Sequence, residues 1–478
     1  MIKKFFKDGL IYIIPTILSR GISFFLLPIY TRYFSPSEYG FIDLLSALYV
    51  VLALVLPLEV SQAVSRLMAD EKNAESKSEL VSTAFWFTFC VFAVFGVFAM
   101  LIPQVIAQAL DGDLRHVTAV RIAGLAMPLN ALLYAVQNQL RWSLAAKSSS
   151  IVGLVFTFVT ATVTVTLLVL FDMGVEAVVI GQAVGSFIGL CVGISSARKH
   201  IPLIFSFQIS RLKHLLNFSM PLVLSSATYY GATFADRWML KTFMSMEDVG
   251  IYAVALKISS VVGIIISSAQ MALSPLVYSR YKLPETPGDI NRLFGYFLLF
   301  ALSLLCTLGL VAETLIEIMT DASYHQASGL IVLLSSAVIF SGAYVFAPGL
   351  SIAKKTKQIA TISISVMLIN LSLNYLFIPL YGRMGAALAT LTGSIFLFLL
   401  FVFLAGRYYS IPYNWFKYIL SIIIVTIFLL YGMIAGFSGV MVIPYVLVLL
   451  SLCLLLINSE DKQKIWCELV RKGGRNNI

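Results

Sequence analysis

Apolar residues run along this chain in long blocks of about 20, and short polar segments separate the blocks. A block of this length spans the hydrocarbon layer of a bilayer when it is helical. The breaks contain turn-forming residues, such as Ser35-Pro36-Ser37 and Tyr381-Gly382. The pattern therefore predicts an all-α polytopic membrane protein with about 14 transmembrane helices. The predicted spans are residues 9–32, 40–65, 80–102, 117–140, 149–171, 175–196, 214–240, 250–276, 292–312, 326–350, 358–379, 384–405, 415–435 and 440–457.

The composition excludes a water-soluble protein of ordinary type. Hydrophobic residues make up 59% of the 478 residues and charged residues only 12%, whereas soluble domains carry about 25% charged residues. The net charge of +10 is explained by basic loops on the cytoplasmic side of a membrane. We therefore expect no nucleic-acid partner.

The basic residues also predict the orientation of the chain. If the N-terminus is cytoplasmic, 25 Lys and Arg residues fall in cytoplasmic segments and 4 fall on the opposite side. Such a bias sets the orientation of membrane proteins. It predicts a multi-pass protein whose two termini both lie in the cytoplasm.

The sequence contains an internal duplication. YFSPSEYG at residues 33–40 precedes span two, and FMSMEDVG at residues 243–250 precedes span eight, with the two glycines 210 positions apart. Ala-Lys and Met-Gly pairs recur at offsets of 207 and 211. Six spans per repeat give both repeats the same orientation. We expect two six-helix lobes, 1–200 and 201–410, and a segment 411–478 with two extra helices and a cytoplasmic tail.

Small residues recur every four positions in span six. They are Ala177, Gly181, Gly185, Gly189 and Gly193. Small residues at this spacing let helix backbones approach closely in lipid. We interpret the stripe as a packing surface and not as a ligand site.

Seven charged residues stand out inside predicted spans, namely Arg20, Asp43, Glu59, Arg121, Asp236, Arg237 and Lys257. Each costs about 2.5–3.5 kcal/mol on insertion scales unless it is compensated. Polar residues at helical spacing accompany them, including Gln62 and Arg66 on one face with Glu59 of span two, Asn130, Tyr134 and Gln137 in span four, and Asn370 and Asn374 in span eleven. A hydrated central cavity and structural pairing between helices both explain these residues, and the sequence leaves both open.

Motifs for catalysis are absent from the sequence. It has no GxxxxGK[ST] phosphate loop and no HExxH or GxSxG motif, and its four histidines have no ligand spacing. The five cysteines show no pairing pattern. We expect no enzymatic activity, no metal site and no cofactor, and we favour a transporter.

Two motifs resemble those of a known family. PIYTRYFSPSEYG at residues 28–40 resembles the segment after the first helix of bacterial O-antigen flippases, the polysaccharide transporter family. Asp236-Arg237, Gly250-Ile251-Tyr252 and Lys257 resemble its motif in helices seven and eight. The resemblance implies two six-helix lobes around a central cavity, as in the related multidrug and toxin extruders. It also implies the bacterial inner membrane as the location.

The resemblance further implies a substrate and the residues that bind it. The substrate would be an oligosaccharide repeat unit on undecaprenyl pyrophosphate, moved from the cytoplasmic to the periplasmic leaflet by alternating access. Implied partners are this lipid, membrane lipids, and the polymerase and chain-length regulator of the same pathway. We assign the pyrophosphate to Arg20, Arg237 and Lys257, coupling or cation orientation to Asp43, Glu59 and Asp236, and sugar contacts to Asn130, Tyr134, Gln137, Asn370 and Asn374. A cation antiporter and a peptidoglycan-precursor flippase remain alternatives.

Overall fold

A computed structural model describes residues 18, 21–68, 70–71, 73–111, 114–143, 145–435 and 441–457. Within these residues the chain forms helices and no strands. The α-helices are α1 Leu27–Tyr33, α2 Pro36–Val55, α3 Val60–Leu67, α4 Ala74–Leu101, α5 Pro103–Asp111, α6 Val117–Trp142, α7 Ala146–Phe171, α8 Val175–Ala197, α9 Ile209–Phe243, α10 Met246–Arg280, α11 Thr286–Met319, α12 Ser328–Ala343, α13 Gly349–Ile352, α14 Thr356–Tyr381, α15 Arg383–Gly406, α16 Trp415–Ala435 and α17 Val442–Leu456.

Most predicted spans correspond to long apolar helices. Ten segments of the described chain are long and apolar enough to cross a membrane. In addition, α9 and α10, at 35 residues each, cover predicted spans seven and eight, and α17 is a shorter apolar helix. Much of predicted span one lies outside the described residues. The all-α polytopic fold class is confirmed.

Predicted span two, residues 40–65, is wrong as a single helix. The chain forms α2, breaks at Pro57, and resumes as α3. A proline inside a helix removes one backbone hydrogen bond and its ring clashes with the preceding turn. The next two residues, Leu58 and Glu59, have left-handed backbones with φ of 51° and 55°. Glu59 therefore precedes α3 instead of lying on the helical face that the sequence predicts.

The glycine stripe is a packing surface, as the sequence predicts: Gly181 and Gly185 pack on α7, and Gly189 and Gly193 lie nearest Leu133 and Val136 of α6. A Cβ atom on Gly181 would lie 2.0 Å from the Oγ1 atom of Thr164, and one on Gly185 would lie 2.0 Å from that of Thr160. There is no room for a methyl group at either position. Helices α7 and α8 consequently form one of the closest helix pairs in the described chain.

The duplicated motif forms the same structure twice. Ser35 accepts a hydrogen bond from the backbone of Glu38, and Ser245 accepts one from the backbone of Asp248, so each serine caps the helix that follows. The two glycines at the ends of the motifs then meet. A Cβ atom on Gly250 would lie 1.8 Å from the carbonyl oxygen of Pro36, and one on Gly40 would lie 2.3 Å from that of Met246.

Two compact units can be distinguished in the chain. The first contains residues up to 257 together with 319–324 and 367–389, and the second contains residues 258–318, 325–366 and those from 390 onward. All residues of the site described below belong to the first unit. The lobe boundaries derived from the sequence, at 200 and 410, stay a prediction.

In the second unit, the two C-terminal helices pack against α11. The Tyr418 hydroxyl donates to the carbonyl oxygen of Asn291 at 2.9 Å, and the hydroxyls of Thr307 and Tyr445 lie 2.9 Å apart. Before α16, the Tyr413 hydroxyl donates to a backbone carbonyl at 2.6 Å. Burial raises the pKa of this hydroxyl, so it remains a donor.

Candidate functional site

An ion pair joins α2 and α9. The guanidinium of Arg237 donates through Nε to Oδ2 of Asp43, and its Nη1 donates to the carbonyl oxygen of Thr233 at 2.7 Å. The side chains are only 11% (Arg237) and 26% (Asp43) exposed. Two of the intramembrane charges that the sequence singles out therefore compensate each other.

Asp43 also lines a cavity that reaches α10. The cavity has a volume of about 270 Å³ and contains Lys257 in its wall. The other polar lining residues are Ser23, Tyr30, Tyr39, Ser46, Thr157, Thr160 and Gln182. One ammonium group and one paired carboxylate thus face a space whose other described polar lining groups are hydroxyls and one amide.

A second cavity of about 210 Å³ adjoins the first. The two share Ile42, Ser46, Phe156, Val178 and Gln182 in their walls. Asn130 lies in the wall of the second cavity, where its Oδ1 accepts a hydrogen bond from the Ser186 hydroxyl at 2.7 Å. We call the first space the charged cavity and the second the neutral cavity.

Asp236 and two asparagines of α14 form a separate buried cluster. Asn374, which is 0% exposed, donates to Oδ1 of Asp236 at 2.7 Å and lies within 3.1 Å of Oδ1 of Asn370. Asp236 is 7% exposed. The Asp236 carboxylate thus accepts a hydrogen bond from an uncharged donor at a buried position. Asn370 and Asn374 therefore contact protein groups, and their role as sugar ligands stays a prediction.

Glu59 is buried at the break between α2 and α3. It is 5% exposed and bonds to the hydroxyl of Ser226 on α9. Its left-handed backbone directs it away from the helical face that the sequence predicts. It lies in the wall of neither described cavity.

The remaining candidates differ in their positions. Arg20 lies outside the described residues. Tyr134 and Gln137 belong to the walls of neither described cavity, and Tyr134 is 38% exposed. Arg121 is exposed. The structure brings together Asp43, Arg237 and Lys257, with Asn130 at the neighbouring cavity.

Sequence reasoning missed Gln182, although it lines both cavities. Gln182 is an amide placed directly after Gly181 in a helix of small and apolar residues. Polar residues inside a span usually face protein or water, so this isolated amide was a usable signal. Ser46 was also detectable, because it follows Asp43 by three residues on the same face of α2.

The described residues contain no group of three or more His, Cys, Asp or Glu side chains close enough to hold a metal ion. The described cysteines, Cys90, Cys191, Cys306 and Cys453, are free thiols. The two cavities together present a cationic group beside a paired carboxylate, followed by neutral hydrogen-bonding groups. These groups suit an anionic head group that carries polar substituents.

Sequence comparison relates the chain to proteins of polysaccharide synthesis. A family described as polysaccharide biosynthesis protein matches residues 29–328, which is more than half of the chain. A protein of the Lsg locus of Haemophilus influenzae is 26% identical over 289 residues, covering 58% of this chain and 67% of the relative.

Structural comparison places the fold among membrane transporters. The lipid II flippase MurJ in an inward closed conformation superimposes with a TM-score of 0.75 and 17% identity, covering 93% of this chain and 98% of that one. An inward-facing multidrug resistance MATE family transporter gives a TM-score of 0.68 and 12% identity, covering 82% and 94%. The chain therefore has the fold of a multi-pass membrane transporter.

Proposed function

Since the chain belongs to the family of polysaccharide biosynthesis proteins, we propose that it is a flippase for lipid-linked oligosaccharides. Its substrate is the repeat unit of an O-antigen or related surface polysaccharide, attached to undecaprenyl pyrophosphate. The protein moves the head group from the cytoplasmic to the periplasmic leaflet of the bacterial inner membrane by alternating access. Both termini lie in the cytoplasm.

The observation that carries this proposal is the charged cavity. Lys257 and the Arg237–Asp43 pair lie on three helices of one unit, next to a space of about 270 Å³. A pyrophosphate diester brings about two negative charges, which an ammonium and a guanidinium can neutralise through charge-assisted hydrogen bonds. Asp43 keeps Arg237 in position until the substrate arrives.

The other predicted residues keep the roles that the family resemblance implies. Arg20 adds a third cation for the pyrophosphate, and Glu59 and Asp236 serve ion coupling or orient cations. Sugar hydroxyls contact the polar residues Asn130, Tyr134, Gln137, Asn370 and Asn374. The Asp236 cluster has its own internal partners, so its part in transport requires rearrangement of these hydrogen bonds.

The membrane potential supplies a driving force. Moving two negative charges outward across 100 mV is favourable by about 4.6 kcal/mol, because each elementary charge contributes about 2.3 kcal/mol. This free energy favours export of a pyrophosphate head group from a cytoplasm that is electrically negative. Separate coupling to an ion is not required for net flux.

Two other functions have support in the fold. The similarity to a MATE family transporter supports a multidrug or cation antiporter, and that to a lipid II flippase supports transport of a peptidoglycan precursor. The cavity favours an anionic substrate over a cationic one, since the carboxylate in its described wall, that of Asp43, is already paired with Arg237. Enzymatic activity, such as polymerisation of repeat units, is not part of the proposal.

The decisive experiment measures lipid-linked intermediates in cells. Deletion of the gene is expected to cause a repeat unit on undecaprenyl pyrophosphate to accumulate in the cytoplasmic leaflet, with loss of surface polysaccharide. Loss of viability after depletion, with accumulation of lipid II, would identify a peptidoglycan-precursor flippase instead. Absence of any accumulating lipid-linked saccharide would reject both.

A double variant tests the cationic residues. Cells that produce Arg237→Ala/Lys257→Ala at normal levels are expected to lose most surface polysaccharide, because neither cation remains at the charged cavity. Arg66→Ala is the control, since Arg66 is exposed and pairs with Asp70, a surface carboxylate in the turn that follows α3. Normal polysaccharide display by the double variant would contradict the pyrophosphate assignment.

A further inference from the structure

The charged and neutral cavities differ in chemistry although they share a wall. Asp43 and Lys257 lie in the charged cavity. None of the described residues that line the neutral cavity carries a charge. Its polar residues are Ser46, Tyr49, Asn130 and Gln182, which are hydroxyls and amides. Such groups both donate and accept hydrogen bonds, as the hydroxyls of a sugar do.

The dimensions also suit a small ring. The neutral cavity measures about 210 Å³ and the charged one about 270 Å³, far above the roughly 10–15 Å³ that one water requires. Pockets for small molecules begin at roughly 300 Å³, so the two together accommodate a pyrophosphate and at least one attached ring. Apolar walls with a few neutral polar groups are typical of such pockets.

Gln182 lies at the junction of the two cavities. No hydrogen-bonding partner of its side chain is present among the residues that the structure describes. Its backbone is fixed because the adjacent Gly181, and Gly185 one turn later, pack tightly on threonines of α7. A rigidly placed amide without a protein partner is well suited to bind a polar ligand.

From these observations we propose that the neutral cavity is a saccharide subsite. It holds the first, uncharged sugar of the head group while the pyrophosphate lies at Lys257, and Gln182 bonds the hydroxyls of that sugar. The inference rests on the proposed flippase function and adds to it a preference for the first sugar of the head group. Without a cation in its wall, the subsite disfavours a sugar that carries a carboxylate, because the charge would be buried unpaired.

Binding of two defined lipids to the purified full-length protein in nanodiscs tests the subsite. The first probe is undecaprenyl pyrophosphate, and the second is the same lipid carrying one N-acetylglucosamine. Gln182→Ala is expected to weaken binding of the glycosylated probe about five-fold, which corresponds to one lost hydrogen bond. Binding of the unglycosylated probe should not change. Lys257→Ala should weaken binding of both probes.

The controls separate a local effect from a folding defect. Gln104→Ala changes an exposed glutamine of α5 and should leave both affinities unchanged. Ser46→Ala removes a second polar group shared by the two cavities and should also weaken binding of the glycosylated probe selectively. It serves as the test variant if Gln182→Ala is poorly folded. The subsite would be overturned if both cavity variants bound the glycosylated probe as tightly as the wild type. It would also be overturned if the variants lost affinity equally for the two probes.

Transport by the wild-type protein distinguishes the two levels of the proposal. If wild type in vesicles moves the glycosylated probe across the bilayer but the cavity variants show no selective binding defect, only the subsite fails. If wild type neither binds nor moves the glycosylated probe, the flippase function fails and the subsite falls with it. Selective loss in the variants together with wild-type transport supports both.

Discussion

At the scale of single residues, the intramembrane charges were the most informative part of the sequence. Their cost in a bilayer predicts that each is paired or faces water. The structure shows both outcomes at one place, since Asp43 pairs with Arg237 and also lines a cavity with Lys257. The identity of the partners could not be predicted, because Asp43 and Arg237 are 194 positions apart and their pairing depends on how α2 and α9 pack.

The pairing predicts a specific pattern of stability. Arg237→Ala should destabilise the protein by about 2 kcal/mol, because it leaves the partly buried Asp43 carboxylate without its partner. The double variant Asp43→Ala/Arg237→Ala should recover much of that loss. Thermal unfolding in detergent measures both effects. A double variant less stable than Arg237→Ala would show that the two residues do not act as a pair.

The sequence could not predict the position of Glu59. Helical periodicity places it on a face with Gln62 and Arg66, whereas the break after Pro57 turns it toward Ser226. Proline signals a kink or a break but does not determine which. The left-handed conformation of two consecutive non-glycine residues depends on tertiary packing and has no signature in sequence.

At the scale of secondary-structure elements, the small-residue stripe gave a correct prediction for α8. The four-residue spacing identified the packing face, and the contacts of Gly181 and Gly185 with threonines confirm it. The spacing could not identify the partner helix as α7. Nor could it reveal that the same helix presents Gln182 to the cavities.

Substitutions along α8 should have a large effect on stability. Gly185→Ala places a Cβ atom 2.0 Å from a threonine hydroxyl and should cost about 1–3 kcal/mol through overpacking. Gly231→Ala in α9 is the matched control, because no atom lies within 4 Å of its added Cβ. The control should be neutral or stabilise by about 0.5–1 kcal/mol through helix propensity. Similar melting temperatures for the two variants would contradict tight packing of α7 and α8.

At the scale of the whole molecule, hydrophobic block lengths were sufficient for the fold class. They gave the approximate bounds of most long helices in the described part of the chain, and the solved transporters it resembles share the fold. The lobe boundaries are still a prediction from the repeat. The family motifs supplied the substrate class, because neither block length nor composition distinguishes a sugar lipid from a drug.

The contact between the repeated glycines predicts a non-additive pair of substitutions. Gly40→Ala and Gly250→Ala should each cost about 3 kcal/mol, since each Cβ would collide with backbone atoms of the other motif. The double variant should cost clearly less than the sum, because one separation of α2 and α10 relieves both collisions. Unfolding of the three variants measures the coupling. Strict additivity would show that the two collisions are independent.

The meeting of Gly40 with Gly250 also bears on the ancestry of the chain. The two residues occupy the same position in the two copies of the repeat, and each approaches the backbone of the other. Reciprocal contacts of this kind are typical of an isologous interface, in which a two-fold axis relates the two sides. In an ancestor that held a single copy of the repeat, the same contact would have joined two identical chains at the centre of a homodimer. In such a dimer, one mutation at this glycine would have changed both sides of the interface. In a single chain that carries both copies, the two positions can vary independently.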